Sequence, residues 1–147
     1  METQIAAVPA QKIPSVAAPV WATGRRKTSI ARVRVIPSKS GGRFLINNKS
    51  VDDYFGGNKR HCMYAAQSLN LAKGVSAYDF LVTVTGGGIT GQAEAVRHSI
   101  ARVLIKLDAT LRPILRKEGY LTRDPRAVER KKSGQPGARK RYQYSKR

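Results

Sequence analysis

The sequence predicts an α+β fold: a small mixed sheet of three to four strands packed by helices in two layers, with a disordered N-terminal extension and a basic, extended C-terminal tail. Three observations carry that expectation. Residues 29–36 and 78–85 alternate apolar and polar side chains with the period of two that a half-buried strand requires. Over residues 90–108, Val96, Ile100, Val103, Leu104 and Leu107 fall within one helical stripe. Beyond Tyr120 the periodicity stops while positive charge accumulates.

Taken in order, residues 1–20 are rich in Ala, Val, Gln and Pro, and Pro9, Pro14 and Pro19 are spaced to defeat a continuous helix. They are expected to be an unstructured extension, without the charged start and unbroken apolar stretch of a secretory signal or the arginines of a transit peptide. The body is expected over residues 21–119 and the tail over 120–147. Strand 29–36 turns Ala31, Val33 and Val35 one way and Arg32 and Arg34 the other, so its outer face is basic. Residues 38–42 read as a hairpin loop into a strand at 43–46, which makes these two strands expected antiparallel neighbours. Asn47-Asn48 supplies the next turn. Ser50 and Asp53 have capping-box spacing, with Asp for the preferred Glu, and open a short helix that Gly56-Gly57 ends.

Residues 58–71 fit a helix that buries a small-residue stripe of Met63, Ala66 and Leu69 with Ala65 between, and Gly74 marks its end. Tyr78, Phe80, Val82 and Val84 share one face of the clearest strand, which Gly86-Gly87-Gly88 stops. In the helix that follows, His98, Arg102 and Lys106 lie at i, i+4 and i+8 opposite the apolar stripe, so one face enters the core and the other is cationic. Pro113 near the start and Gly119 at the end frame a further helical turn over residues 109–117.

Length and charge narrow the function. Of 147 residues, roughly a hundred remain for a core once the ends are set aside, which is one domain. The net charge is +19, from 28 Lys plus Arg against 9 Asp plus Glu. It is uneven: residues 1–24 contribute nothing net, whereas residues 112–147 hold thirteen basic and three acidic residues. Such an excess repels itself unless a polyanion neutralises it, and nucleic acid or an anionic membrane would do so. No apolar run approaches the ~20 residues of a membrane span. Cys62 is the only cysteine, so neither an intramolecular disulfide nor a thiolate zinc site is available, in keeping with a reducing compartment. His61 and His98 are far apart and lack a second ligand at metal spacing; no metal or cofactor is expected.

Two motifs invite enzymatic readings. Gly86, Gly88 and Gly91 satisfy G-x-G-x-x-G between a predicted strand and a predicted helix, with Asp108 further on. A dinucleotide fold needs another apolar parallel strand after that helix, and Arg112-Pro113-Ile114-Leu115-Arg116-Lys117-Glu118 follows instead. The glycines still permit a tight turn and close backbone approach, and N–H groups at the helix start suit a phosphate. Gly24-Arg25-Arg26-Lys27-Thr28-Ser29 places three cations and two hydroxyls before strand 29–36, a composition suited to phosphate oxygens, although its spacing is not that of a P-loop. Catalytic candidates are thin. Asp52 and Asp53 are adjacent and diverge on a helix, and Cys62 falls on the core side.

Residues 130–147 carry eight Lys or Arg and no acid, broken by Gly134, Pro136 and Gly137, with Tyr142 and Tyr144 as the only large apolar side chains. Such a segment buries too little to offset its ordering entropy and is expected to gain order on a polyanion. Its interleaved arginines and tyrosines suit phosphate contact and base stacking. With GRRKTSIARVRV over residues 24–35, TGGGITGQAEAVRHSIARVL over 85–104, LTRDPRAVERKK over 121–132 and a terminal SKR, the chain closely resembles the universal small-subunit ribosomal protein family known by the number nine, bacterial or organellar branch, across residues 23–147.

That resemblance implies a non-enzymatic, rRNA-binding component of the small-subunit head, working in the ribosome of the cytoplasm or of an organelle, beside neighbouring ribosomal proteins of the head and away from any membrane. Carried over by position, it implies rRNA contact through Arg25, Arg26 and Lys27, through Gly86, Gly87 and Gly88, through Arg97 and Arg102, and through the tail cations Arg130, Lys131, Lys132, Arg139, Lys140 and Arg141. It assigns Ser145, Lys146 and Arg147 to P-site tRNA. Gln135-Pro136-Gly137, Ser133 and Val103 depart from the family's pattern, and residues 1–20 have no counterpart in its short bacterial members.

Overall fold

The computed structural model describes residues 18–38, 41–72 and 77–146. Its elements are β1 (Val20–Arg26), β2 (Ser29–Pro37), β3 (Phe44–Ile46), β4 (Lys49–Ser50), α1 (Val51–Tyr54), α2 (Lys59–Asn70), β5 (Tyr78–Thr85), α3 (Ile89–Leu107), a 3-10 turn (Ala109–Leu111) and α4 (Arg112–Lys117). The expectations for residues 1–17, for the Gly74 helix end and for Arg147 lie outside the described residues. Val20, placed in the N-terminal extension by composition, already belongs to β1.

The α+β, two-layer architecture holds, but the sheet has five strands, in the order β1-β2-β5-β3-β4, rather than three to four. The two additions are β1, of seven residues, and β4, of two. β1 escapes the alternation test because Gly24-Arg25-Arg26 reads as a charge cluster, yet it pairs antiparallel with β2 along its whole length, Val20 opposite Val35 through Arg26 opposite Ser29. Its turn is only Lys27-Thr28, with Lys27 at φ 51.

β2 and β3 are not neighbours, against expectation: β5 lies between them, antiparallel to β2 and parallel to β3. The reason is length. Eight residues of β5 match β2 almost end to end, whereas β3 offers three. Arg43 closes the join, since its N–H and guanidinium donate to Asp79 at 2.9, 3.1 and 2.8 Å, and Phe80 N–H donates to the Arg43 carbonyl at 2.7 Å. Asn47 and Asn48 adopt the expected turn at φ 49 and 64. The Asn47 side chain then continues the ladder past β3, accepting from Val84 N–H and donating to the Val84 carbonyl.

One sheet face carries the core. Ala22, Ala31, Val33, Val35, Ile46, Phe80, Val82 and Val84 are buried beneath α3, which in turn packs against α2. All five apolar residues of the predicted α3 stripe are buried, and Ala93, Ala95, Ser99 and Ala101 join them because α3 is covered on two sides. α3 crosses β1 at backbone contact: a Cβ at Gly24 would lie 2.1 Å from the Ala95 carbonyl oxygen and 2.4 Å from Ser99 N. Only glycine fits there. The α2 stripe needs correction, for Ala65 and Ser68 are buried while Met63 is 66% exposed. Ser50 caps α1, its Oγ accepting from Asp53 N–H at 3.1 Å, as the spacing implied. After α4, Gly119 at φ 73 turns the chain out, and residues 122–146 form neither helix nor strand.

Candidate nucleic-acid interface

The hairpin that joins β1 and β2 separates its three cations. Arg25 and Lys27 are exposed, as alternation along an edge strand and a two-residue turn dictate. Arg26 points inward with only 11% of its side chain accessible. Its Nε meets Glu94 of α3 at 2.5 Å, one terminal nitrogen meets Asp124 of the tail at 2.9 Å, and the other donates to the Arg126 carbonyl at 3.0 Å. One guanidinium therefore ties strand, helix and tail together.

Arg97 is engaged similarly. It stacks on Tyr64 of α2 and on Tyr120 at the start of the tail, 5.6 and 5.1 Å from their ring centroids, and donates to Gln67 at 3.0 Å. Such contacts favour a guanidinium over any other cation. With Tyr120 N–H donating to the Leu115 carbonyl and Leu121 packed against the core, the first residues of the tail belong physically to the body. Asp124 is held down to about 2 by its hydrogen bonds from Arg126, with the Arg26 charge adding to the effect, so this carboxylate is charged at neutral pH.

The outward row of α3 has a second use. Lys106 donates to the Trp21 carbonyl at 2.6 Å and Arg102 donates to the Thr23 carbonyl, while His98 shares a cleft with Arg25 at the other end of the row. Residues four apart on a helix advance ~6 Å and residues two apart on a strand ~6.6 Å, so the two rows keep step. These side chains cover the open edge of β1, which would otherwise invite another strand. Burial lowers the pKa of His98, and the charges of Arg102, Arg123 and Arg97 lower it further, against the Arg25 backbone, which raises it.

Between α3, α4 and the tail root runs a groove of about 500 Å³ lined by His98, Arg102, Lys106 and Arg112 around Ile105 and Leu121. Arg25, Arg26, Arg97, His98 and Arg123 line the adjoining cleft. The structure thus gathers four of the predicted body contacts, Arg25, Arg26, Arg97 and Arg102, at one end of the molecule. It adds Arg112 and Arg123, which sequence reading missed because the turn at Ala109–Leu111 folds Arg112 back beside α3 and the path of the chain after α4 returns Arg123 there.

Gly86 and Gly87, at φ 71 and 70, make the sharp turn from β5 into α3, and a Cβ at Gly87 would lie 2.0 Å from Ser29 Oγ. Gly88 at the N-cap provides no side chain to close the first turn, so the N–H groups at the start of α3 have no side-chain cap. No strand follows α3 among the described residues, which removes the dinucleotide reading of these glycines. Along the tail Arg130, Lys131, Lys132, Lys140, Arg141, Ser145 and Lys146 are exposed, while Arg139 makes a fork with Glu129 at 2.9 and 2.5 Å. Among the described residues no group of three or more His, Cys, Asp and Glu could hold a metal ion, and no helix is long and apolar enough to cross a membrane.

Comparison with known proteins gives the family of the chain. The sequence profile of ribosomal protein S9/S16 matches residues 24–147, from the β1–β2 hairpin to the end of the tail. Two relatives, both named small ribosomal subunit protein uS9, come from Anaeromyxobacter sp. (strain K) and Anaeromyxobacter dehalogenans (strain 2CP-1). Each is 49% identical over 124 residues, which is 84% of this chain and 93% of the relative. A match that spans nearly all of the body and the whole tail makes this chain a member of the ribosomal protein S9/S16 family.

Proposed function

We propose that this chain, a structural and non-enzymatic constituent of the small ribosomal subunit by its family, docks its body on rRNA of the subunit head and runs its tail along that rRNA toward the P site. Arg25, Lys27, Arg102 and the glycine turn at Gly86–Gly88 contact phosphates of the body's site. Arg130, Lys131, Lys132, Lys140 and Arg141 neutralise phosphates along the tail, Arg139 joins them by exchanging Glu129 for RNA, and Ser145, Lys146 and Arg147 reach tRNA. Arg26 and Arg97 serve the same end from within, by fixing where the tail starts. The observation that carries the reading is the exposure of almost every tail cation beside a body whose own cations gather at the tail root.

Salt dependence tests it. If the tail neutralises about six phosphates, log affinity for head-domain rRNA falls with log salt by roughly 4 to 5 more in the full chain than after deletion of residues 130–147. An unchanged slope refutes the tail's role. Deleting Lys146 and Arg147 alone is expected to spare subunit assembly and to speed P-site tRNA dissociation; an unchanged rate rules out contact by the tip.

A further inference from the structure

We infer that the open face of the sheet is a stacking platform for unpaired nucleotides of RNA, with Trp21 as the stacking side chain and Arg34, Arg32 and Arg25 as phosphate contacts. The inference rests on the RNA-binding reading above and names a surface of which that reading uses only Arg25. Both long helices, α2 and α3, lie on the core side, so among the described residues nothing covers the opposite side of β1, β2 and β5. The strand register sets its outward residues in rows: Trp21, Arg34 and Leu81; then Thr23, Arg32 and Thr83; then Arg25, Ile30 and Thr85.

Trp21 is 53% exposed, and the Arg34 guanidinium stands 5.5 Å from its ring centroid. A flat, half-open indole steadied by a cation, beside two further arginines and three threonines, matches what a base and its phosphate need. Negative charge is almost absent. Asp79 is the only carboxylate on these three strands, and Arg43 already occupies it. The occupant therefore carries negative charge and a flat apolar surface together. It does not add as a strand, because the edge carbonyls of Trp21 and Thr23 already accept from Lys106 and Arg102. Recognition must come face-on, and unpaired nucleotides meet that requirement.

Trp21 is the only tryptophan of the chain, so its fluorescence reads this face directly. The full chain is titrated with an unstructured single-stranded RNA and, separately, with the same strand paired into a duplex, while anisotropy of a label on the RNA records binding. The single strand is expected to quench Trp21 and shield it from acrylamide, and the duplex to bind without quenching. Trp21→Ala should weaken single-strand binding roughly 5- to 150-fold and leave duplex binding unchanged. Trp21→Phe should retain most of the affinity, and Arg34→Gln, which leaves the indole in place, should reduce the quench. Single-strand binding with unchanged Trp21 emission overturns the platform. So does equal quenching by the duplex, or a response of Trp21 to an acidic peptide but not to RNA. Absence of any anisotropy change with either RNA instead overturns the RNA-binding reading beneath it.

Discussion

Gly24→Ala is the sharpest test of how β1 and α3 are joined. The added methyl would meet the Ala95 carbonyl oxygen at 2.1 Å, Ser99 N at 2.4 Å and Ser99 Cα at 2.9 Å. All three are backbone atoms of one helix, so no rotamer change relieves the clash, and α3 must move about 1 Å or more off the sheet to restore contact. Overpacking of this kind costs ~1–3 kcal/mol, and rigid backbone on the far side puts Gly24→Ala at about 3. Loss of glycine's unfolded-state entropy returns at most ~1. Against the ~5–15 kcal/mol that holds a domain together, a net loss of about 2–3 lowers the melting temperature by at least ~8 °C for a body of this size.

Gly91→Ala is the matched control. Its methyl would sit 2.9 Å from Ser29 Oγ, a hydroxyl on a side chain that can turn away, and 3.6 Å from the Arg26 carbonyl, while an alanine in a helix gains ~1 kcal/mol over glycine. Its net effect is expected within about 1 kcal/mol of zero. Urea unfolding of the full chain decides the matter through the midpoint at constant m-value. A Gly24→Ala loss under about 1 kcal/mol, or one no larger than that of Gly91→Ala, refutes the close approach of α3 to β1.

Replacing Arg26 by Gln should free the tail root: tryptic cleavage after Arg126 accelerates several-fold while the circular dichroism of the body is unchanged, and equal cleavage rates refute the tie. Arg26→Lys keeps one charge but not the three-way fork and should fall between the two. Asp79 is lowered to about 2 from 3.8, chiefly by the Arg43 side chain and then by the Arg43 backbone N–H. Because the folded value lies below the unfolded one, the stability this carboxylate adds is complete above about pH 4 and is lost as pH falls toward 2. Arg43→Gln should therefore flatten the acid limb of the urea midpoint against pH, and an unaltered limb refutes the assignment. Asp124, lowered to the same value, predicts release of the tail root over that same acid range, read as faster amide exchange at residues 120–126.

How much of this is legible in the sequence follows from range. β2, β5 and α3 announce themselves because a two-residue or 3.6-residue period is a local property, and Ser50 and Gly119 mark element ends by chemistry within a few residues. Strand order is not local. That β5 inserts between β2 and β3 depends on which strands are long enough to pair along their length, and the hairpin loop at residues 38–42 gives no sign of it. The predicted α2 stripe fails at Met63 for a similar reason: a short helix with mixed polarity offers two faces, and α3 chooses the one with Ala65 and Ser68. Among the site residues, exposure of Arg25 and Lys27 could be read from alternation and turn position. The same alternation turns Arg26 inward, but what it meets there is not legible, since its partners Glu94 and Asp124 lie 68 and 98 positions away, and Arg97 is engaged by rings from α2 and the tail root.

Fixing the tail at Tyr120, Asp124 and Arg126 changes the problem of its capture by RNA. From Ala127 to Lys146 there are twenty residues, with a reach of at most ~70 Å and a coil-like span of ~25 Å. Once the body is docked, the tail searches a small volume on one side of a fixed point, and its binding becomes an intramolecular step at an effective concentration in the millimolar range. Individually weak contacts between single cations and phosphates then suffice. The half-buried arginine and carboxylates at the root act at a distance by making every exposed cation beyond them count for more.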